Sequence, residues 1–152
     1  MATDADTGIR IRSAVILLRD GHVALIERER DGQRYYLFPG GGVEDSESLQ
    51  AAARREALEE LGVATRVGRL VAVSDTPARK QYYFSAEIVG GRFGTGAGEE
   101  LKSSADSRRG SYNPMWVKVA DLRDIDVRPA SLRDFIVDGE LEGMSGVLDV
   151  KD

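Results

Sequence analysis

Runs of alternating hydrophobic and polar residues, separated by glycine-containing turns, make up the first part of the chain. The run IRIRSAVILLRD (9–20) begins with alternation and becomes continuously apolar, which predicts a strand that enters a core. Asp20-Gly21 is typical of a hairpin turn, and HVALIERER (22–30) alternates again as the returning strand. The loop DGQR follows, and YYLF then predicts a short aromatic strand that leads into the glycine-rich segment PGGG.

Two helices are predicted. The first runs from Leu49 to Leu61, because Ser48 is a suitable N-cap and Gly62 stands where a left-handed C-cap belongs. The second begins after Pro129, in the stretch PASLRDFIVD.

Three further strands are predicted at 63–75, 81–91 and 115–122, and the last of them is expected to be the final strand. The short loop TPARK separates the first two, and the polar, glycine- and serine-rich stretch 94–114 predicts a long loop. Strands mixed with two helices, one of them in mid-chain, predict a layered α/β or α+β domain.

Length and composition are those of a globular protein. The 152 residues are expected to form a single domain, 1–152, with flexible tails at 1–8 and 139–152. No apolar run approaches the roughly 20 residues that cross a bilayer, and the first residues lack the features of a signal peptide. We therefore expect a cytoplasmic protein without a membrane partner, and the net charge of −5 argues against nucleic acid as a partner.

The supply of metal-binding and nucleophilic side chains is narrow. The sequence has no cysteine, which excludes disulfides, thiolate zinc sites and cysteine nucleophiles. Its single histidine, His22, excludes sites that need several imidazoles. A bound metal would therefore be held by oxygen atoms, as magnesium, manganese and calcium are.

Three glutamates crowd the C-terminal turns of the first predicted helix. Glu56, Glu59 and Glu60 lie near its negative dipole end, where acidic side chains are disfavoured. Spacings of three and four residues place them on one face, where like charges repel. A divalent cation between them would make the cluster favourable, and we expect their oxygens to point to one place. The alternative is an ordinary solvated acidic face.

The stretch GGVEDSESLQAAARREALEELGV, Gly41 to Val63, resembles the Nudix box, G-x5-E-x7-R-E-U-x-E-E-x-G-U, in which U is a bulky aliphatic residue. Ala57 departs from the pattern because it is smaller than the usual aliphatic residue. The matching residues are Gly41, Glu47, Arg55, Glu56, Glu59, Glu60, Gly62 and Val63.

The resemblance implies roles for the residues of the box. In the family, box glutamates and a backbone carbonyl of the glycine-rich loop hold the metal, which here implies Glu56, Glu59, Glu60 and Gly40. An ion pair between Arg55 and Glu47 is expected to orient the catalytic helix. In the family, the base that activates water comes either from the box helix or from a later loop. The helix candidates here are Glu59 and Glu60. The loop candidates are Glu99 and Glu100, and we expect Glu100 to be catalytic.

Substrate contacts are expected from several residues outside the helix. Arg28 matches a strand position where Nudix proteins often direct an arginine at phosphate, although a plain surface cation is the alternative. We also expect Arg34, Phe38 and Gly41 to bind the substrate. Arg79 and Lys80 lie in a loop expected beside the site. About half of the aromatic residues in the strands should face the core, and the others could stack on a nucleobase; they are Tyr35, Tyr36, Tyr82, Tyr83 and Phe84. Trp116 is expected in the core.

The resemblance implies a Nudix hydrolase with an α/β/α sandwich, a mixed sheet and a catalytic helix that follows a glycine-rich loop. It implies hydrolysis, with Mg²⁺ or Mn²⁺, of the pyrophosphate bond of a nucleoside diphosphate linked to another moiety, such as a nucleotide sugar, an ADP-ribose-like compound or a (d)NTP. The alternative is a Nudix-like module that senses a nucleotide without cutting it. A homodimer is also among the expectations, because many relatives are dimers.

Overall fold

The computed structural model describes residues 8–96 and 110–151. Its strands are β1 (Arg10–Arg19), β2 (His22–Arg30), β3 (Gln33–Leu37), β4 (Gly40–Gly42), β5 (Val63–Asp75), β6 (Arg79–Gly91), β7 (Ser111–Lys118), β8 (Val127–Arg128) and β9 (Leu148–Val150). Its helices are α1 (Leu49–Leu61), a 3₁₀ helix (Val119–Asp124) and α2 (Ala130–Val137).

Within the described ranges, the strands form one mixed sheet in the order β8-β3-β2-β1-β6-β5-β9. In addition, β4 pairs with β1 and β7 pairs with β2. The central strand β1 is antiparallel to β2 and β4 and parallel to β6. One half of the sheet therefore contains β2, β3, β7 and β8, the other contains β4, β5, β6 and β9, and β1 joins them.

The sheet is covered on both faces, and β1 shows this directly. Ala14 and Ile16 of β1 lie in one hydrophobic cluster, which includes side chains of α2. Val15 and Leu17 point the other way, into a second cluster that includes side chains of α1. Successive side chains of a strand point to opposite faces, so a strand buried on both faces is continuously apolar, as this part of the sequence is. The predicted α/β/α architecture is confirmed.

Helix α1 has the predicted bounds and the predicted caps. Ser48 Oγ accepts a 3.0 Å hydrogen bond from the N–H of Ala51, and Gly62 is left-handed with a φ of 79°. After β6, the chain returns to the C-terminal end of the helix. There the N–H of Gly94 donates to the carbonyl oxygen of Leu61 at 2.8 Å, and the N–H of Arg92 donates to that of Gly62 at 3.1 Å. Two carbonyls at this end of the helix, where intrahelical partners run out, are thus satisfied.

The strand predicted at 115–122 is wrong at both ends. Strand β7 begins at Ser111 because it pairs with β2, in a register that places Tyr112 beside Arg28. A partner strand more than eighty residues away cannot be read from the local pattern. Beyond Lys118 the chain turns into the 3₁₀ helix, and two more short strands, β8 and β9, follow it.

The expectation of a flexible C-terminal tail at 139–152 is wrong for the residues of β9. This strand pairs in parallel with β5, and Val150 is 2% exposed. Arg69 of β5 supports the segment before it, by donating hydrogen bonds to the carbonyl oxygens of Met144 and Gly146. Three residues are too few to show a strand period, so the sequence does not reveal them. Residues 1–7 lie outside the described ranges.

The helices in the described ranges lack the length and apolar character that a bilayer-crossing helix needs.

Substitution of Val150 should show that β9 is part of the fold. We expect Val150→Ala to lower the free energy of unfolding by about 1–3 kcal/mol, because it removes buried apolar contacts. The measurement is urea unfolding followed by circular dichroism. Val147→Ala is the matched control: Val147 is 50% exposed, so its loss should change stability by about 0.5 kcal/mol or less. Equal effects of the two substitutions would contradict the docking of β9.

Candidate active site

Helix α1 lies closely against the glycine strand β4. A side chain on Gly41 would place its Cβ within collision distance of the Glu56 carboxylate, so glycine there lets that carboxylate keep its position. A side chain on Gly40 would collide with β1 at Ser13 and Ala14. The glycines of PGGG therefore permit close contact between strand, helix and buried carboxylate, which explains why the loop is glycine-rich.

Two of the three helix glutamates are buried. Glu56 is 5% exposed and Glu60 is 4% exposed, four residues apart on one face of α1. Glu60 Oε1 accepts a 2.7 Å hydrogen bond from the N–H of Gly40. Buried carboxylates are rare unless they are paired or bind a cation, so the alternative of a solvated acidic face is wrong for Glu56 and Glu60.

Arg55 links the acidic side chains of the site. Its guanidinium binds Glu47 through two hydrogen bonds, from Nε at 2.8 Å and from Nη2 at 3.0 Å. Its Nη1 donates to Glu56 at 2.9 Å and to Glu59 at 3.2 Å, and Nη2 also donates to the carbonyl oxygen of Gly42 at 2.8 Å. The predicted pair of Arg55 and Glu47 is confirmed, and the same cation also holds the helix against β4.

These contacts shift the pKa values of both partners. The hydrogen bonds from Arg55 hold the pKa of Glu47 below its ordinary value, against the opposing effect of burial. The same hydrogen bonds, together with Glu56, raise the pKa of Arg55. Both groups are therefore charged across the neutral range.

The carboxylates of Glu56, Glu59 and Glu60 do not converge on one point. Across residues 8–96 and 110–151, no three acidic or histidine side chains are grouped closely enough to hold a metal ion. Glu60 turns to the N–H of Gly40, whereas Glu56 and Glu59 turn to Arg55. Like charges on one helix face repel, and each carboxylate takes the hydrogen-bond donor nearest to it. The expected convergence is therefore absent from this arrangement.

The loop that follows β6 approaches the same end of α1. A side chain on Gly96 would collide with the carbonyl oxygens of Glu59 and Glu60, so the backbone is in close contact with the helix there. Glu99 and Glu100, the expected loop bases, lie outside the described residues.

A cleft of about 840 Å³ opens between the two halves of the sheet, with Gly40 and Glu60 on its surface. Its wall on β2, β3, β7 and β8 carries Ile26, Arg28, Arg30, Tyr35, Leu37, Tyr112 and Arg128. Its wall on β1, β5 and β6 carries Arg12, Ser74, Arg79, Gln81 and Tyr83. Among the described residues that line it, five are arginines and two are acids. The cleft is therefore suited to an anion.

Two of the predicted substrate residues line this cleft. Arg28 is 7% exposed, donates from Nε to the carbonyl oxygen of Ser111 at 3.1 Å, and lies 3.6 Å from the ring centroid of Tyr112. Its place in a wall of the cleft argues against a plain surface cation. Phe38 is 4% exposed and packs edge-on against Tyr83, so it forms part of the cleft floor.

Three other predicted contacts lie elsewhere. Arg34 pairs with Glu29 on the surface, because it alternates with Tyr35 and so points away from the cleft. Gly41 is buried against Glu56 and is absent from the cleft lining. Lys80 lies near Asp75 and Tyr82, whereas its neighbour Arg79 reaches the cleft.

Arg12 and Arg128 are cleft residues that sequence reasoning missed. Arg12 lies in β1 beside β6, and its Nε donates to Gln81 at 3.3 Å. Burial and the neighbouring Arg79 lower the pKa of Arg12, while Glu60 and Glu56 oppose that change. The alternation in IRIR carried a signal for Arg12, but nothing local marks Arg128.

The five predicted strand aromatics do not divide cleanly between core and cleft: Tyr82 packs against the cluster that includes side chains of α1, and Tyr83 is both buried and part of the cleft lining. Tyr36, Tyr83 and Phe84 are buried, and Trp116 packs against the cluster that covers α1. Tyr35 and Tyr112 line the cleft. Ala57, the small residue of the box, is fully buried on the face of α1 that packs against the sheet.

A protein-family model matches most of the chain. A family model described as the NUDIX domain matches residues 9–136. This range contains the whole of α1, β4 and the cleft.

Two curated relatives illustrate the similarity. Diphosphoinositol polyphosphate phosphohydrolase 2 of Rattus norvegicus is 36% identical over 119 residues, which cover 75% of this chain and 61% of the relative. The chain thus spans about three fifths of that protein. RNA pyrophosphohydrolase of Caulobacter vibrioides is 46% identical over 52 residues, which cover 34% of this chain and 30% of the relative.

Solved structures share the fold. A NUDIX hydrolase from Nitrosomonas europaea superimposes with a TM-score of 0.70 at 19% identity, covering 95% of this chain and 80% of that structure. An ADP-ribose pyrophosphatase from Streptococcus suis gives a TM-score of 0.66 at 13% identity, covering 92% of this chain and 98% of that structure.

The pair of Arg55 and Glu47 predicts a pH-dependent stability. A carboxyl with a lowered folded-state pKa stabilises the fold above its unfolded pKa of about 4.3, and this contribution is lost as the pH falls through the folded value. Glu47→Gln should therefore lower the free energy of unfolding by about 1–3 kcal/mol near pH 7, and the deficit should shrink as the pH falls below about 4.

Urea unfolding of both proteins between pH 7 and pH 3 measures that deficit. Glu140→Gln is the control, since Glu140 is exposed and lies after α2. A deficit that stays constant down to pH 3 would show that the charge of Glu47 does not contribute.

Proposed function

This chain belongs to the Nudix family, and from that premise we propose that it hydrolyses the pyrophosphate bond of a small phosphorylated substrate with Mg²⁺ or Mn²⁺. One observation carries the proposal. Two buried carboxylates, Glu56 and Glu60, lie on one face of α1 where an arginine-lined cleft meets the glycine strand. A cleft that binds an anion beside acids that can bind a cation is what pyrophosphate hydrolysis requires.

The donor set fits a hard divalent cation. Glu56, Glu59 and Glu60 offer carboxylate oxygens, and the resemblance implies a backbone carbonyl oxygen from Gly40, whose N–H contacts Glu60. Magnesium and manganese prefer such oxygen ligands. For Glu56 and Glu59 to bind a cation, their side chains must turn away from Arg55, which then remains held by Glu47 and by the carbonyl of Gly42. When bound, the metal neutralises phosphate oxygens and makes water a better nucleophile.

The chain's own residues supply the remaining functions. Glu60 lines the cleft and is fixed by Gly40, so it is well placed to accept the proton of the attacking water. Glu59 is the second candidate for this role. Arg28 and Arg12, on opposite walls, can neutralise phosphate oxygens on either side of the bond that breaks.

For the substrate we propose the bond that is cut, a pyrophosphate bond, and leave open the moieties that it joins. The sequence implied a nucleoside diphosphate linked to another moiety, whereas the rat relative is named for diphosphoinositol polyphosphates and the Caulobacter relative for RNA. A pyrophosphate bond between phosphorylated moieties is common to these substrates. The sensor module remains the alternative, and the buried glutamates argue against it because a sensor would not need them. The homodimer stays a prediction.

The central test of the proposal is Glu60→Gln. We expect turnover to fall by at least about 100-fold with the fold unchanged, because the variant removes a proposed metal ligand and the carboxylate that lines the cleft. The assay measures released phosphate with nucleotide sugars, ADP-ribose, dinucleoside polyphosphates, (d)NTPs and a diphosphoinositol polyphosphate. Near wild-type rates in this variant, with Glu140→Gln as the control, would reject the assigned role. A deeper loss in Glu100→Gln would move the base to the loop.

Metal dependence can be tested through activity and melting temperature. Addition of Mg²⁺ or Mn²⁺ to protein treated with EDTA should restore activity and raise the melting temperature, because a ligand that binds the folded state stabilises it. The rise should be much smaller in Glu60→Gln. An equal rise in wild type and variant would show that the cation binds elsewhere.

A further inference from the structure

The aromatic residues of the cleft are poorly placed to stack on a nucleobase. Four aromatic residues line the cleft in the described part of the chain. Tyr83 is 5% exposed and Phe38 is 4% exposed, so both are buried by their neighbours. The remaining two, Tyr35 and Tyr112, are the only rings of this lining with appreciable surface, and a nucleotide would have to stack on them.

Both of these rings are in contact with guanidinium groups. The Arg28 guanidinium carbon lies 3.6 Å from the ring centroid of Tyr112 and 5.8 Å from that of Tyr35. The Arg128 guanidinium carbon lies 4.3 Å from the ring centroid of Tyr35. A cation at this distance over a ring occupies one of the two faces on which a base could stack.

Arg128 is held in that position by Asp126. Its Nε donates to Oδ1 at 3.2 Å and its Nη2 donates to Oδ2 at 2.8 Å, a two-point pair that fixes the guanidinium plane. Arg128 in turn holds the pKa of Asp126 below its ordinary value. Asp126 therefore holds Arg128 in its contact with Tyr35.

Positive charge is present on both walls of the cleft. Arg28, Arg30 and Arg128 belong to one wall, and Arg12 and Arg79 belong to the other. Arg12 and Arg79 are close enough for Arg79 to oppose the charge of Arg12. An anion bound between Arg12 and Arg79 would remove their repulsion, so this wall favours a phosphate group of its own.

We propose that Arg128 is a specificity-determining residue: by covering Tyr35 and presenting guanidinium N–H groups to its wall, it makes the cleft select a base-free substrate with several phosphate groups over a nucleotide. The cleavage of such a substrate rests on the proposed function, but the selectivity of binding does not. The guanidinium groups then bind phosphate on both walls, and the tyrosine rings serve to position arginine.

Binding without catalysis tests this selectivity. Isothermal titration calorimetry with EDTA and about 150 mM salt compares myo-inositol hexakisphosphate, which has no pyrophosphate bond to cut, with ADP-ribose. The proteins are wild type, Arg128→Ala and the control Arg123→Ala. Arg123 is also paired with aspartate, through Asp138, but is absent from the cleft lining. Circular dichroism confirms that each variant is folded.

Wild type should bind the hexakisphosphate at least about tenfold more tightly than ADP-ribose. Arg128→Ala should weaken the hexakisphosphate at least about tenfold, through loss of a charge-assisted contact, while ADP-ribose changes by less than about threefold or binds more tightly. Arg123→Ala should change neither by more than about twofold.

Two results would overturn the assignment. Tighter binding of ADP-ribose than of the hexakisphosphate by wild type would show that the cleft accepts a base. Equal weakening of both ligands in Arg128→Ala would show that the residue contributes charge without selectivity. Because no bond is cut, an inactive enzyme could still pass this test, and an active one could fail it.

Discussion

The burial of Glu56 and Glu60 under the glycine strand is the constraint on which the rest of the structure depends. A carboxylate can be removed from water only if donors or cations replace its hydration. Here Arg55 and the N–H of Gly40 provide them, while Gly41 lets β4 lie against the Glu56 carboxylate and Gly40 lets β4 lie against β1. Glycine strand, arginine and glutamates are therefore parts of one arrangement.

The same arrangement sets where the cleft can form. Strand β4 follows β3 and pairs with β1, so it lies where the two halves of the sheet diverge. Glu60 consequently faces a space bounded by arginines from strands that are distant in sequence. The acids that could hold a cation and the cations that could hold an anion are brought to one place by the topology of the sheet.

Predictions from local pattern succeeded where a local rule decides the outcome. The bounds and caps of α1, the first hairpin and the pair of Arg55 and Glu47 all depend on residues within about a dozen positions of one another. Errors arose where distant residues decide. Strand β7 extends to Ser111 because β2 pairs with it, and β9 forms because β5 pairs with it.

The amino-acid sequence by itself determined the family and the bounds of helix α1, because motif spacing and capping residues are properties of the chain alone. Only the tertiary structure decided that Arg12 and Arg128 belong to the cleft, that Tyr35 is covered, and that the glutamates turn to separate donors. The physical reason is that strand pairing across the whole chain sets where a side chain points and which residues it contacts. No short stretch of sequence contains that information.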